Sequence, residues 1–385
     1  MAVDIPGWHD HQCDRLDSFN ISACLALTGE VLASVRLSSC DTIGTLCQRI
    51  AQATGEASTL QILHRGRVLD YTRDLASFGL HSDCRVEVVK NHRLVLTGSS
   101  DGTAKIFRAD GQCLLTMCGH GKAVTSACFA HSGLKVATAS QDGTAKLWVD
   151  GACQATLQGH GGCVVSVDFS PDDALLVTAS NADNTGRIWN LESLECQRVL
   201  GGYELNAAKF TPDGLKVLTA VSWHDCALLW SVATGDVLQR FAPHDAVVSH
   251  TTMSHDMSTV ATATYDGTLK LWWAVSGKLR ARLTGFGEKS KVHVAFSPDD
   301  RHVASACINH VAQVWDISAG TVVTLGGQCG HGNSVTSAEF SADGAWVVTG
   351  SYDGTAKIWD PQSGKVVRTL SGHTDSVRSV CFSFN

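Results

Sequence analysis

From about residue 92 onward the chain repeats itself, and this repeat restricts the fold more than any other feature. Seven segments align: SSDGTAKIF ending at Phe107, SQDGTAKLW at Trp148, NADNTGRIW at Trp189, WHDCALLW at Trp230, TYDGTLKLW at Trp272, INHVAQVW at Trp315 and SYDGTAKIW at Trp359. The terminal aromatics are spaced by 41, 41, 41, 42, 43 and 44 residues. Self-similarity on this scale marks a unit that cannot bury its own apolar faces and must stack on copies of itself. Within a unit, VTSACF, KVATAS, TAKLW and CQATLQ are short, β-rich and alternating, as strands of a half-buried sheet are. Asp142-Gly143 supplies a tight hairpin turn between two of them, and SPDD at 170–173 and TPDG at 211–214 supply another. Each unit therefore reads as a four-stranded antiparallel sheet, and seven such sheets set radially bury one another's faces.

The two ends of the repeat region complement each other. The first unit begins near Arg93 and has no strand of the VTSACF type, whereas the last residues, SVRSVCFSF at 376–384, are such a strand with nothing after it. The C-terminal strand is therefore expected to complete the first sheet and close the ring, which removes the open edges that invite aggregation.

A period of 40–45 residues with Gly-His ahead and an aromatic in a late strand resembles the WD40 repeat. The resemblance implies an all-β seven-bladed propeller over 91–385. It also implies a buried relay in each blade, formed by a His, a strand Ser or Thr, a turn Asp and the Trp. Carried onto this sequence, the relay is His120, Ser140, Asp142 and Trp148 in blade 2; His160, Ser180, Asp183 and Trp189 in blade 3; His244, Thr264, Asp266 and Trp272 in blade 5; and His331, Ser351, Asp353 and Trp359 in blade 7. Blade 1 borrows His373 from the C-terminus, with Ser99 and Asp101, and has Phe107 in place of the Trp. A His–Ser–Asp grouping can suggest a hydrolase, but one that recurs in five blades suits a structural part that satisfies buried polar groups. Blades 4 and 6 depart from the pattern. Gly201-Gly202-Tyr203 and Gly285-Phe286-Gly287 stand in place of Gly-His, and His224 and Asn309 occupy the Asp slots, so these relays are expected to be missing.

Residues 21–90 differ in character. SACLALTGEVLASVRLS reads as a hairpin turning near Thr28-Gly29. Asp41 can cap a helix over TIGTLCQRIAQATG, and LQILHRGRVL and CRVEVVK read as further strands. This ββαβ…β order resembles a ubiquitin-like (β-grasp) α+β domain. The resemblance implies a recognition patch at Leu63 and Val89, flanked by His64, Arg65 and Arg67. Val86–Lys90 runs through Asn91-His92 into the first propeller strand with no Gly-Gly end, so conjugation is not expected. Residues 1–20, with Asp4, Asp10, Asp14 and Asp17, read as a solvated tail; His9, His11 and Cys13 within it are weak as metal ligands.

Charge narrows the partners. Lys+Arg 30 against Asp+Glu 37, with no basic run, gives no reason to expect nucleic acid or an anionic membrane. No apolar window is long enough for a membrane span, and the start lacks a signal-peptide pattern. None of the 15 Cys forms a C-x-x-C pair, which favours a reducing, cytoplasmic setting, with a ciliary or nuclear one as the alternative, and the regular repeats resemble those of WD40 proteins in cytoplasmic and ciliary complexes. Without a phosphate loop, metal cluster or isolated nucleophile–base pair, no enzyme, cofactor or small-molecule substrate is expected. The leading reading is a protein-binding scaffold; the alternative is a ubiquitin-pathway substrate adaptor docking through the N-terminal domain.

In WD40 proteins the top face is built from the residue before the turn Asp and from positions early in the innermost strand. On this chain the first slot holds Ser100, Gln141, Tyr265 and Tyr352, with Trp223 at the equivalent place in blade 4. The inner-strand slots hold Thr125, Val165, Ser249, Thr336 and Arg378, with Glu204 and Asn206. Partner contact is expected at Trp223, Tyr265, Tyr352 and Arg378, supported by Gln141, Glu204 and Asn206, because aromatics and Arg dominate interface hot spots.

Overall fold

The computed structural model describes residues 18–25, 31–38, 46, 49–50, 60–64, 67–68, 85–90, 94–133, 135–222, 226–283, 293–306, 310–327 and 329–384. The chain divides into two compact units, Met1–Asn91 and His92–Asn385. In the first, Val31–Ser38, Ser18–Leu25, Arg85–Lys90, Leu60–His64 and Arg67–Val68 lie side by side in that order in one five-stranded sheet. Its centre is a parallel pairing, Ser22 to Arg85 through Leu25 to Val88, while its other ladders are antiparallel. Helix is described at Leu46 and Arg49–Ile50, where Leu46 and Ile50 are buried one helical turn apart. Of the segment 1–20 read as a tail, residues 1–17, with His9, His11 and Cys13, lie outside the described residues, while Ser18–Asn20 belong to the strand Ser18–Leu25.

The second unit holds seven four-stranded sheets. Blade 2 shows the plan: Val124–Phe129, Lys135–Ser140, Ala145–Val149 and Ala152–Leu157 run from the channel outward, all antiparallel. Burial follows that order. The second strand is almost wholly buried, because both its faces meet neighbouring blades, and the fourth is mostly exposed. The innermost strands of successive blades touch all the way around, ending with Val377–Phe382 against Val124–Phe129. Val377–Phe382 pairs antiparallel with Leu94–Ser99, so blade 1 takes its inner strand from the far end of the chain. Val377, Val380 and Phe382 sink into a core shared with Ile358, Leu370 and Phe107.

A belt of side chains ties the blades together around the channel. The third residue of an inner strand accepts a hydrogen bond from the fourth-residue amide of the next blade. Ser379 accepts from Ala127 N, Ser126 from Val167 N, Ser166 from Ala208 N and Ser337 from Val380 N, at 3.2–3.5 Å. His250 Nδ1 takes the same role toward Val294 N at 3.4 Å, and the His250 ring lies 3.9 Å from that of His293. These groups line a cavity of about 530 Å³ along the axis. On a ladder of period two, the fifth residue faces the same way, which brings Cys128, Asp168, Lys209, Glu339 and Cys381 to the channel wall.

Candidate protein-interaction face and the relays beneath it

The loop face at the start of the inner strands is held by hydrogen-bonded chains through the blades. In blade 2, His120 Nδ1 meets Asp142 Oδ2 at 2.9 Å and Nε2 meets Thr138 Oγ1 at 2.7 Å, and Trp148 Nε1 donates to that same hydroxyl at 2.8 Å. Blade 3 repeats this through His160, Asp183, Thr178 and Trp189, and blade 7 through His331, Asp353, Thr349 and Trp359, at 2.7–2.9 Å. Counting donors assigns the protons. The indole N–H donates to the Thr oxygen, the Thr O–H to His Nε2, and His Nδ1–H to the carboxylate, so a neutral imidazole satisfies every group. In blade 1, His373 spans the chain ends, 2.8 Å from Asp101 and 2.7 Å from Thr97, with Phe107 edge-on to its ring. In blade 5, His244 and Trp272 meet at Thr262, each at 2.8 Å.

The strand hydroxyl in these chains is therefore not the one the sequence reading assigned. Ser99, Ser140, Ser180, Thr264 and Ser351 stand two residues too late. Trp148 pairs with Val136 across the ladder, which places its indole over Thr138 on the buried part of the strand. Ser140 lies at the strand end, where it donates to Lys122 O and accepts from Asp142 N. Ser99 and Ser351 do the same for their turns, Ser180 caps the amides of Ala182 and Asp183, and Thr264 donates to Asp266. Blade 4 keeps part of the chain: Trp230 donates to Thr219 at 2.9 Å, and Tyr203 packs edge-on to Trp230 in the place of the His. His224, Asn309 and Gly285–Gly287 lie outside the described residues.

Burial holds the imidazoles of His120, His160, His331 and His373 below the ordinary histidine range, against the pull of their Asp partners. Burial raises the Asp carboxyls, but hydrogen bonds from Thr, His and backbone amides outweigh it and hold Asp101, Asp142 and Asp353 at about 2. Both shifts favour the deprotonated fold. Stability from these pairs is complete above the unfolded histidine pKa near 6.5, falls as the unfolded chain takes up protons below it, and falls again from about pH 4 to 2. Glu339 acts oppositely: burial in the channel raises it to about 7, with Lys209 resisting and Asp168 adding. Its contribution is present below the unfolded carboxylate range and is lost as pH rises through 7. Glu339→Gln is therefore expected to raise the melting temperature at pH 8 and to change it little at pH 5, as thermal melts across pH would show. Equal shifts at both values would disprove the assignment.

On the face itself, Tyr265 and Tyr352 are 37% and 40% exposed, and Gln141 is exposed beside its turn. Burial raises the Tyr265 phenol, with Tyr352 and Glu204 adding. Arg378 is anchored: Nε donates to Ser100 Oγ at 2.6 Å, and the guanidinium lies 5.0 Å above the Tyr352 ring, with an N–H to its hydroxyl at 3.3 Å. Four of the other inner-strand slots spend their polar groups inside the fold. Asn206 donates to Val248 O, Thr125 to Val164 O, Thr336 to Val377 O and Ser249 to Ala263 O. Trp223 lies outside the described residues. The strands of Leu63 and Val89 are described by register alone, Leu63 opposite Glu87 and Val89 opposite Gln61.

These sheets and relays define a seven-bladed β-propeller. The model of the family "WD domain, G-beta repeat" matches residues 111–149, 151–190, 235–272, 277–316, 322–360 and 364–385, and the chain belongs to the WD40 family. It is 29% identical to pre-mRNA-processing factor 19 homolog 2 of Arabidopsis thaliana over 74% of this chain and 56% of that protein. It is 25% identical to angio-associated migratory cell protein of Homo sapiens, over 80% of this chain and 75% of that protein. Autophagy-related protein 16 of Arabidopsis thaliana is 28% identical over 41% of this chain and 30% of that protein. The chain thus spans little more than half the length of the first of these relatives.

Proposed function

We propose that this propeller is a non-catalytic scaffold that takes a protein partner on the loop face around the mouth of its channel. The observation that carries this reading is the anchored set of Tyr352, Arg378 and Ser100, with exposed Tyr265 at the same slot of blade 5. Large rigid side chains already fixed in position lose little entropy on binding, which is the hallmark of a hot spot. Polar Ser100 and Gln141 occupy the same slot in blades 1 and 2, so folding does not require the aromatics there. Trp223 belongs to the proposed contact set, with Gln141 and Glu204 at its margin. Replacing Tyr265 and Tyr352 with Ala is expected to weaken partner binding by about 2 kcal/mol or more, with little change in melting temperature. Titration calorimetry with an isolated partner reads this directly; unchanged binding moves the site elsewhere on the molecule.

The second reading, a ubiquitin-pathway adaptor, draws support from the N-terminal sheet. A five-stranded sheet whose first and last strands pair in parallel at its centre is compatible with a ubiquitin-like domain that docks without being conjugated. Its proposed patch remains Leu63 and Val89. Comparing partners captured by the full chain and by residues 91–385 separates the readings: ligase or proteasome subunits lost on truncation favour the adaptor.

A further inference from the structure

The seven blades provide their own control, because each position of one blade can be compared with the same position in the others. On the face opposite the proposed binding loops, blade 5 is apolar at three turn positions where blades 3, 6 and 7 carry turn-forming or polar residues; blades 2 and 4 are each apolar at one of these, Val149 and Ala233. The turn after the inner strand needs a left-handed residue. Blades 2, 4 and 7 use Gly133, Gly214 and Gly344, and blades 3 and 6 use Asp173 and Asp300. Blade 5 uses Met257, at φ 58° and 39% exposed. Met has no side-chain oxygen to support that conformation and is seldom found in it. In the turn after the third strand, Asn190, Asp316 and Asp360 cap the amides two residues on in blades 3, 6 and 7. Blade 5 has Trp273 there, 45% exposed under the guanidinium of Arg280. Two residues later, where blades 3, 6 and 7 carry Glu192, Ser318 and Gln362, blade 5 carries Val275, 93% exposed.

Met257 and Val275 edge a groove of about 280 Å³ between blades 4 and 5, with Leu229, Leu238, Met253 and Ala274 in its lining. Leu238, from the outer strand of blade 4, is itself 52% exposed. The volume suits one large apolar side chain. Lys216 lines the groove with its ammonium 3.6 Å from the Asp213 carboxylate, and exposed Lys278 follows the Val275 turn without an ion pair among the described residues. The nearby carboxylates of Asp213 and Asp256 already accept hydrogen bonds within their own turns. The site thus offers an apolar slot with unpaired Lys278 three residues beyond Val275, and Met257 in an unusual backbone conformation at its edge.

We infer that the seam between blades 4 and 5 is a second docking site, for a linear peptide segment of a partner protein carrying a bulky apolar anchor flanked by Asp or Glu. The test is selection of random 12-residue peptides displayed on phage against the immobilised full chain, repeated with the M257D/V275S variant. Asp holds the same turn in blades 3 and 6, so the variant is expected to fold and to melt no lower than the parent. The parent is expected to enrich peptides with an apolar anchor beside acidic residues. The strongest of them, labelled and titrated by fluorescence anisotropy, should bind the variant about tenfold more weakly or worse, and Lys278→Glu severalfold more weakly, while the Tyr265/Tyr352 double variant binds normally. Enrichment without acidic residues overturns the proposal, as do peptides that bind the variant equally well. Concentration-dependent self-association of the parent that the variant lacks also overturns it, because a second copy of the chain would then be the occupant.

Discussion

A chain ending at residue 373 is expected to melt roughly 10 °C or more below the full chain and to self-associate. The deleted segment contributes the inner strand of blade 1, and its loss removes three fully buried side chains, Val377, Val380 and Phe382, from the core between blades 7 and 1. Burial of such side chains stabilises by about 1.5–3 kcal/mol each, so roughly 6 kcal/mol is lost before any hydrogen bond is counted. That is comparable to the whole stability of many domains. The ladder to Leu94–Ser99 goes too, as do the belt bonds of Ser379 and the reciprocal pair between Ser383 and Leu94. Leu94–Ser99, wholly buried in the full chain, becomes an open edge ready to pair with another molecule. Scanning calorimetry and sedimentation velocity decide the matter. A truncated chain that stays monomeric and melts with the parent would show that the ring holds without its closing strand.

The architecture was legible because it is repeated. A strand pattern seen once is ambiguous, but seven in register fix the period, and a missing strand at one end with a surplus at the other fixes how the ring joins. The relays were only half legible. The His, the turn Asp and the Trp are distinctive residue types at distinctive spacings, whereas the linking hydroxyl sits among other hydroxyls, as in KVATAS with Thr138 and Ser140. Reading down the blades separates the two. The earlier position is Thr97, Thr138, Thr178, Thr219, Thr262, Ser305 and Thr349, a hydroxyl every time. The later one includes Val221 in blade 4 and Cys307 in blade 6. The face was legible in part for a different reason. Spacing names which residues stand at the inner-strand slots, but not that Asn206, Thr125 and Thr336 donate to carbonyls of the next blade while Arg378 turns toward Ser100 and Tyr352. Such choices depend on the neighbouring blade, some forty residues away or at the other end of the chain.

The corrected relay leads to a ranking that the sequence alone would have reversed. Thr138→Val keeps the shape of the side chain and removes its oxygen. The indole N–H of Trp148 then loses its acceptor and Nε2 of His120 its donor, both in a buried setting. Leaving such a group unsatisfied costs about 1–3 kcal/mol, so the variant is expected to lose about 3 kcal/mol. Thr138→Ser, which retains the hydroxyl, should lose much less. Ser140→Ala removes bonds at the rim of the same strand, where the turn amides lie nearer to solvent, and should cost about 1 kcal/mol. Thr219→Val in blade 4, where the Trp230 indole is the relay group bonded to the hydroxyl, should fall between the two. Equilibrium denaturation reads these differences, provided fluorescence and circular dichroism report one coincident transition. If Ser140→Ala proves the more damaging change, the buried chain runs through the strand end after all, and the assignment of protons from Trp148 through Thr138 to His120 fails with it.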